Sequence, residues 1–293
     1  MSSTTTRTVR RAALGLGALL VLSAVVAAVL FRLDGGRWFI VKTPSMGQSL
    51  PVGSLVLTTP TELGAVADGD VITFRNPESG VVYTHRVARV TDAGLRTRGD
   101  INAAVDPWVV GADDLVGGVS FSAPGLGWAV QGLPLFFVGL AVVWLLTIRV
   151  ATPRRYSWRV VGVSMSLAVT TFVLKPWVGL ERMTQAAPAD GSPGVLLDVV
   201  STGLLPIEAF EPDGPASVSL VDGQVGTLHL TTGADTGAYD VLTRLDLSLG
   251  WWVALVLFCL LPLLWTLAVG LVPHDEPETD LAPTEPEPEL VAA

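Results

Sequence analysis

The chain has 293 residues, 50% of them hydrophobic, with 18 basic against 27 acidic residues and a formal net charge of −9. So apolar a composition, with a mean hydropathy of +0.54, excludes an ordinary soluble domain and points to membrane spans. The acidic balance excludes a nucleic-acid binder, since no basic surface is left to neutralise phosphates, and a lone cysteine, Cys259, excludes an internal disulfide or a cysteine metal site.

In chain order, residues 1–11 form a basic N-terminus with Arg7, Arg10 and Arg11 and no acid. An uncharged apolar run follows at 12–31. It is longer than the apolar core of a cleavable leader, so it reads as a transmembrane anchor. The block 32–127 reads as β structure. Trp38-Phe39-Ile40-Val41, Ser54-Leu55-Val56-Leu57, Asp70 to Arg75 and Val81 to Val90 are strand-like, and Asp68-Gly69, Asn76-Pro77 and Asp92-Ala93-Gly94 are the turns between them. A second span is expected at 128–148, a basic loop with Arg149, Arg154, Arg155 and Arg159 at 149–159, and a third span at 160–177. The acid-rich block 178–248 again looks β-rich. Within it, Ala216 to Val221 and Gln224 to Leu230 flank Asp222-Gly223, a hairpin signal. A fourth span follows at 249–272. The Pro/Glu-rich tail, 273–293, is expected to be disordered.

Arginine-rich short segments stay in the cytoplasm. Both termini then lie inside, and blocks 32–127 and 178–248 lie outside. The expected architecture is a mostly β extracytoplasmic domain, four transmembrane helices and a second small β-rich extracytoplasmic domain in a multi-pass protein of the plasma membrane. Trp38, Phe39, Trp108 and Trp128 either seat the first domain at the bilayer interface or pack inside it.

Chemistry concentrates in block 32–127. Ser45 follows the first span closely, and His85 and the acids Asp100 and Asp106 come after it. A serine hydroxyl needs a base to take its proton, and a histidine needs an acid to fix its tautomer. The lysines of the chain are Lys42 and Lys175. Lys175 belongs to the third span. Lys42 sits on the strand entering the serine, with little freedom to fold back. His85 is therefore the candidate base, and imidazole as a group exchanges its proton near neutral pH. Asp113-Asp114 read as a solvated turn. His229 and His274 read as packed or surface residues.

Three runs carry a family resemblance. Thr43-Pro44-Ser45-Met46, Tyr83-Thr84-His85-Arg86-Val87 and Thr97-Arg98-Gly99-Asp100 with Asn102 resemble the serine, histidine and acid motifs of type I signal peptidases. The closer match is the endoplasmic-reticulum and archaeal branch, which uses histidine in place of lysine. The resemblance covers roughly residues 12–127. Pro44 replaces a common glycine, and Gln48 and Ser49 replace the usual proline and threonine.

The resemblance implies a signal-peptidase-like β fold and a membrane-bound serine endopeptidase that removes N-terminal signal peptides from exported preproteins after small side chains. It implies Ser45 as nucleophile, His85 as base, and Thr43 with the Ser45 backbone N–H as the oxyanion hole. Two acids compete for the third role. Position in the family pattern favours Asp106, with Asp100 tying down the serine loop. Arg86 is expected as a structural ion-pair partner. No metal or cofactor is implied. Partners would be preproteins, the lipid bilayer and the secretion translocon. Two rivals stand beside this expectation: a catalytically silent relative acting as an envelope binding or assembly module, and a dedicated processing enzyme for a few surface proteins.

Overall fold

We describe residues 3–150, 152–232 and 239–270 of a computed structural model. The N-terminal half runs from helix α1 (Ser3–Leu33) into strands β1 (Arg37–Ile40), β2 (Leu55–Thr59), β3 (Val71–Arg75), β4 (Val82–Thr91), β5 (Gly94–Arg98) and β6 (Leu115–Ala123). Helices α2 (Leu126–Thr147) and α3 (Thr152–Leu174) follow. The C-terminal half holds β7 (Leu180–Ala186), β8 (Val195–Ser201), β9 (Ile207–Phe210), β10 (Ser217–Leu220), β11 (Val225–Leu230), β12 (Leu242–Leu245) and helix α4 (Leu249–Gly270). The acidic tail lies outside the described residues.

Strands β1 to β6 make one curled antiparallel sheet in the order β1-β2-β6-β3-β4-β5. Alternation along the strands decides which side chains turn inward. Ile72 and Phe74 on β3, Val87 on β4 and Leu95 on β5 are buried with Val66 and Val110. Burial of each such side chain contributes about 1.5–3 kcal/mol. A smaller cluster of Met46, Leu50 and Val56 sits under the loop that carries Ser45.

Among the described residues three helical stretches are long and apolar enough to cross a membrane: Gly15–Leu33, Leu126–Thr147 and Arg155–Leu174. The fourth expected span is helical as α4, and its Leu249–Leu260 portion is apolar. Helices α2 and α3 pack through small residues. A Cβ at Gly139 would sit 2.5 Å from Ser166 Oγ, and one at Gly132 would sit 2.9 Å from Thr170 Cγ2. Close backbone approach of this kind is how helices associate in lipid.

The basic segment 149–159 is not a loop for most of its length, because α3 already starts at Thr152. The guanidinium of Arg155 donates to the carbonyls of Val150 and Ile148, and Arg159 Nε donates to Thr147 Oγ1 at 3.0 Å. Arg155 thus satisfies carbonyls beyond the end of α2 that lack helical partners, and Arg159 ties α3 to the last residue of α2. Helix α3 stops at Leu174, two residues before Pro176 and short of the expected end at 177.

The second β unit is a sandwich of two three-stranded sheets, β10-β9-β12 and β11-β8-β7. Its core joins Leu197 and Val199 of β8, Ile207 of β9, Leu220 of β10, and Leu228 and Leu230 of β11. The expected Asp222-Gly223 hairpin is corrected here. Strand β10 pairs with β9 and β11 pairs with β8, so the turn passes from one sheet to the other. Leu220 and Leu228 must both face the core between the sheets, and strands paired in one hairpin would place them in a single sheet. The turn itself is formed: Gln224 N donates to the Val221 carbonyl at 2.9 Å.

Of the tryptophans, Trp108 packs against Tyr83 with ring centroids 5.6 Å apart, and Trp128 lies against Gly53. Both serve packing. Trp38 is 47% exposed and stands beside Val25, Val29 and Leu33 at the end of α1.

Candidate functional site

Ser45 lies on a short 3-10 turn, Pro44–Ser49, that follows β1. Pro44 favours the start of such a turn, because its fixed φ suits the first helical position and its missing N–H leaves no donor unpaired. The turn is held from the far end of the sheet: Ile101 N donates to the Ser45 carbonyl at 3.0 Å. Gly99 makes this approach possible, since a Cβ there would stand 2.6 Å from the Ser45 carbonyl oxygen and 2.9 Å from Ser45 Cβ.

His85 occupies the middle of β4. Alternation turns it inward with Val87 and turns Arg86 the other way. Its ring is buried at 3% exposure, with Tyr83 at 5.6 Å and Phe74 at 6.2 Å between ring centroids. Such packing locks the ring's orientation. His85 Nε2 lies 3.0 Å from Ser45 Oγ, and His85 Nδ1 lies 2.7 Å from Asp106 Oδ2. Asp106 is buried as well, at 6%. Thr97 Oγ1 donates to the same Asp106 oxygen at 2.6 Å, and Asp106 N donates to the Thr97 carbonyl at 2.8 Å. The acid is thus fixed by β5 at main chain and side chain together.

Asp100 goes elsewhere. Arg86 Nε and Nη2 donate to its two oxygens at 2.8 and 2.7 Å. Burial pushes the Asp100 carboxyl up, but the Arg86 guanidinium and the Ser49 hydroxyl outweigh it and hold the group below the usual carboxylate range. Ser49 belongs to the serine turn, so Asp100 anchors that turn and Arg86 anchors Asp100. Of the two competing acids, the structure brings Asp106 to His85.

The remaining candidates have clear positions. Thr43 precedes the turn in extended conformation, its side chain makes no capping hydrogen bond, and it lines the same cleft as Ser45. Lys42 points away from Ser45, donating from Nζ to Gln131 Oε1 on α2 at 2.6 Å. Asp114 Oδ2 accepts the Gly111 N–H within a turn. His229 Nε2 lies 3.1 Å from the Pro193 carbonyl. Among the described residues no group of His, Cys, Asp and Glu is arranged to hold a metal ion.

A base on a serine hydroxyl, backed by a buried acid, is the arrangement that makes a hydroxyl nucleophilic. Thr97 stands in the acid motif without a role of its own, although alternation along β5 places it opposite Arg96 and Arg98, facing inward with Leu95. No family model matches the chain, and no curated protein matches it.

Proposed function

We propose that the chain is a membrane-bound serine endopeptidase of the type I signal peptidase kind, removing signal peptides from exported preproteins. The observation that carries this reading is the unbroken line from Ser45 Oγ through His85 to Asp106, at 3.0 and 2.7 Å. Ser45 attacks the scissile carbonyl while His85 Nε2 takes its proton. Asp106 holds Nδ1–H and stabilises the imidazolium. Thr43 Oγ1 and the Ser45 N–H receive the developing oxyanion. His85 returns the proton to the leaving amine, then activates the water that releases the acyl-enzyme.

In this reading the arginine-rich segments keep both termini inside and four spans carry both β domains to the outer face of the plasma membrane. There a substrate anchored by its own apolar segment meets Ser45 next to the bilayer. A narrower reading, a dedicated processing enzyme for a few surface proteins, draws support from the second β domain, which lines the same cleft as Ser45.

The test is cleavage of a panel of exported preproteins by detergent-purified protein. The wild type should cut after small side chains, and Ser45→Ala and His85→Ala should each lose about 10⁴-fold or more. Cleavage by Ser45→Ala, or none by wild type, overturns the reading. Cleavage of one or two preproteins only selects the narrower one.

A further inference from the structure

Sheet β11-β8-β7 turns Leu197 and Val199 of β8, with Leu228 and Leu230 of β11, into the core of the sandwich. Successive side chains of a strand point to opposite faces, so Asp198 of β8 and Val225 and Thr227 of β11 stand on the outer face. Register carries Glu181 of β7 to that face as well, across from Val200. A cleft of about 500 Å³ separates this face from the serine turn. Thr43, Pro44 and Ser45 line one wall, and Glu181, Asp198 and Val225 line the other. The Asp222-Gly223 turn holds the walls together. A Cβ at Gly223 would lie 2.6 Å from the Gly47 carbonyl oxygen and 2.9 Å from Gln48 Cα, so the two backbones touch. Gly223 has φ +73°, a left-handed conformation that favours glycine.

Asp198 is the group on the far wall with chemistry to offer. Thr227 stands directly across from it on β11, and a bulge in β7 places Met183 and Thr184 together on its other side. Thr184 Oγ1 donates to one carboxylate oxygen at 2.5 Å and Thr227 Oγ1 to the other at 2.6 Å. These bonds aim the carboxylate and hold it below the usual range, so it is negative at neutral pH. They do not neutralise it. Among the described residues Asp198 forms no ion pair, and neither do its cleft neighbours Glu181 and Arg182. Because Ser45 opens onto the same cleft, whatever Ser45 attacks must lie against this wall and take water from the charge. Stripping water from a carboxylate that has only neutral donors is costly unless the covering chain brings a cation.

We infer that Asp198 is a specificity-determining residue: the polypeptide that reaches Ser45 lies between the serine turn and the outer face of β8, with a lysine or arginine near its scissile bond paired to the Asp198 carboxylate. The second β domain is then part of the substrate site and selects by charge, while the serine side selects by size. The inference rests on the peptidase reading, since it names which substrates that site prefers.

The experiment uses the full-length protein and a preprotein that the wild type cuts. Residues flanking the cut, other than the small ones just before it, are replaced one at a time by Lys or by Glu. At one position or more the wild type should prefer Lys over Glu by about fivefold in kcat/KM, the upper range of a half-exposed ion pair. Asp198→Asn should abolish the preference and Asp198→Lys should reverse it. Asp213→Asn, between β9 and β10 on the other sheet, should keep it. Thermal unfolding shows which variants are folded, and if Asp198→Lys is not, the near-isosteric Asp198→Asn decides. If the wild type cuts without a charge preference, or the preference survives Asp198→Asn, or Asp213→Asn removes it equally, the inference falls and the peptidase reading stands. If the wild type cuts nothing, both fall.

Discussion

At the scale of single residues, Asp100 and Asp106 divide the work by what each touches. Asp106→Asn should cost about 10⁴-fold in kcat, because an amide at Nδ1 favours the wrong tautomer. Asp100→Asn should leave kcat within severalfold and lower stability by up to about 1 kcal/mol, because its partner Arg86 is 39% exposed. The sign of its pH dependence follows from its lowered value. The Asp100 contribution is present above the unfolded carboxylate pKa, near 4, and is lost as pH falls through the folded one. Thr97→Val should cut kcat about tenfold, or about 1.4 kcal/mol, by freeing the acid that orients His85. Steady-state kinetics and thermal unfolding of the three variants test this, and equal kcat losses for Asp100→Asn and Asp106→Asn would sink it. Ser45, His85 and Asp106 were legible because their chemistry requires those residue types and the motifs fix their spacing. The part played by Thr97 was not, even though it stands in the acid motif, since a threonine on a strand looks the same whether it fills space or donates to a buried acid.

At the scale of elements, the Asp222-Gly223 turn shows which part of a local signal survives in the fold. The residue pair specified a tight turn, and Gly223 makes one. It did not specify which strands would pair, because that depends on whether Leu220 and Leu228 face one sheet or two. Strands β1 to β4 of the first sheet were legible within a residue or two, since alternation and turn residues agree there, whereas β5 and β6 were not, because β5 is short and carries Arg96 and Arg98 and β6 is interrupted by Gly117 and Gly118. The turn also carries a cost. Burial raises the Asp222 carboxyl to about 6, against only a backbone hydrogen bond from Gly223, and its Oδ1 has no partner among the described residues. A raised carboxyl binds its proton more tightly folded than unfolded. The destabilisation is therefore absent below about pH 4, grows as pH rises and is complete above about pH 6. Asp222→Asn should raise the Tm at pH 7.5 and leave it unchanged at pH 4. Equal shifts at both values would show that burial of charge is not the cause.

At the scale of the whole molecule, the apolar helices were legible from length and composition, and the shape of the basic segment between α2 and α3 was not. Its arginines were read as charge for a loop, whereas Arg155 and Arg159 also close the end of α2. The orientation is tested in intact cells with a Cys259→Ser background. A membrane-impermeant thiol reagent should label a cysteine placed at Asp92 and spare one at Arg149; the reverse pattern would invert the topology. One further consequence follows from the join between α1 and β1. The main chain there is hydrogen-bonded without a break, with Asp34 N to Leu30 O at 3.0 Å, Gly35 N to Arg32 O at 3.2 Å and Gly36 N to Phe31 O at 2.9 Å. The sheet is thus joined to the helix by hydrogen-bonded turns rather than by a free linker, and with α1 in a bilayer Ser45 would stand at a set height above the lipid. Under the proposed peptidase function such a geometry would work as a ruler: an enzyme and a substrate both confined to one bilayer would search in two dimensions, and a bond would be eligible by its altitude before its side chains are read.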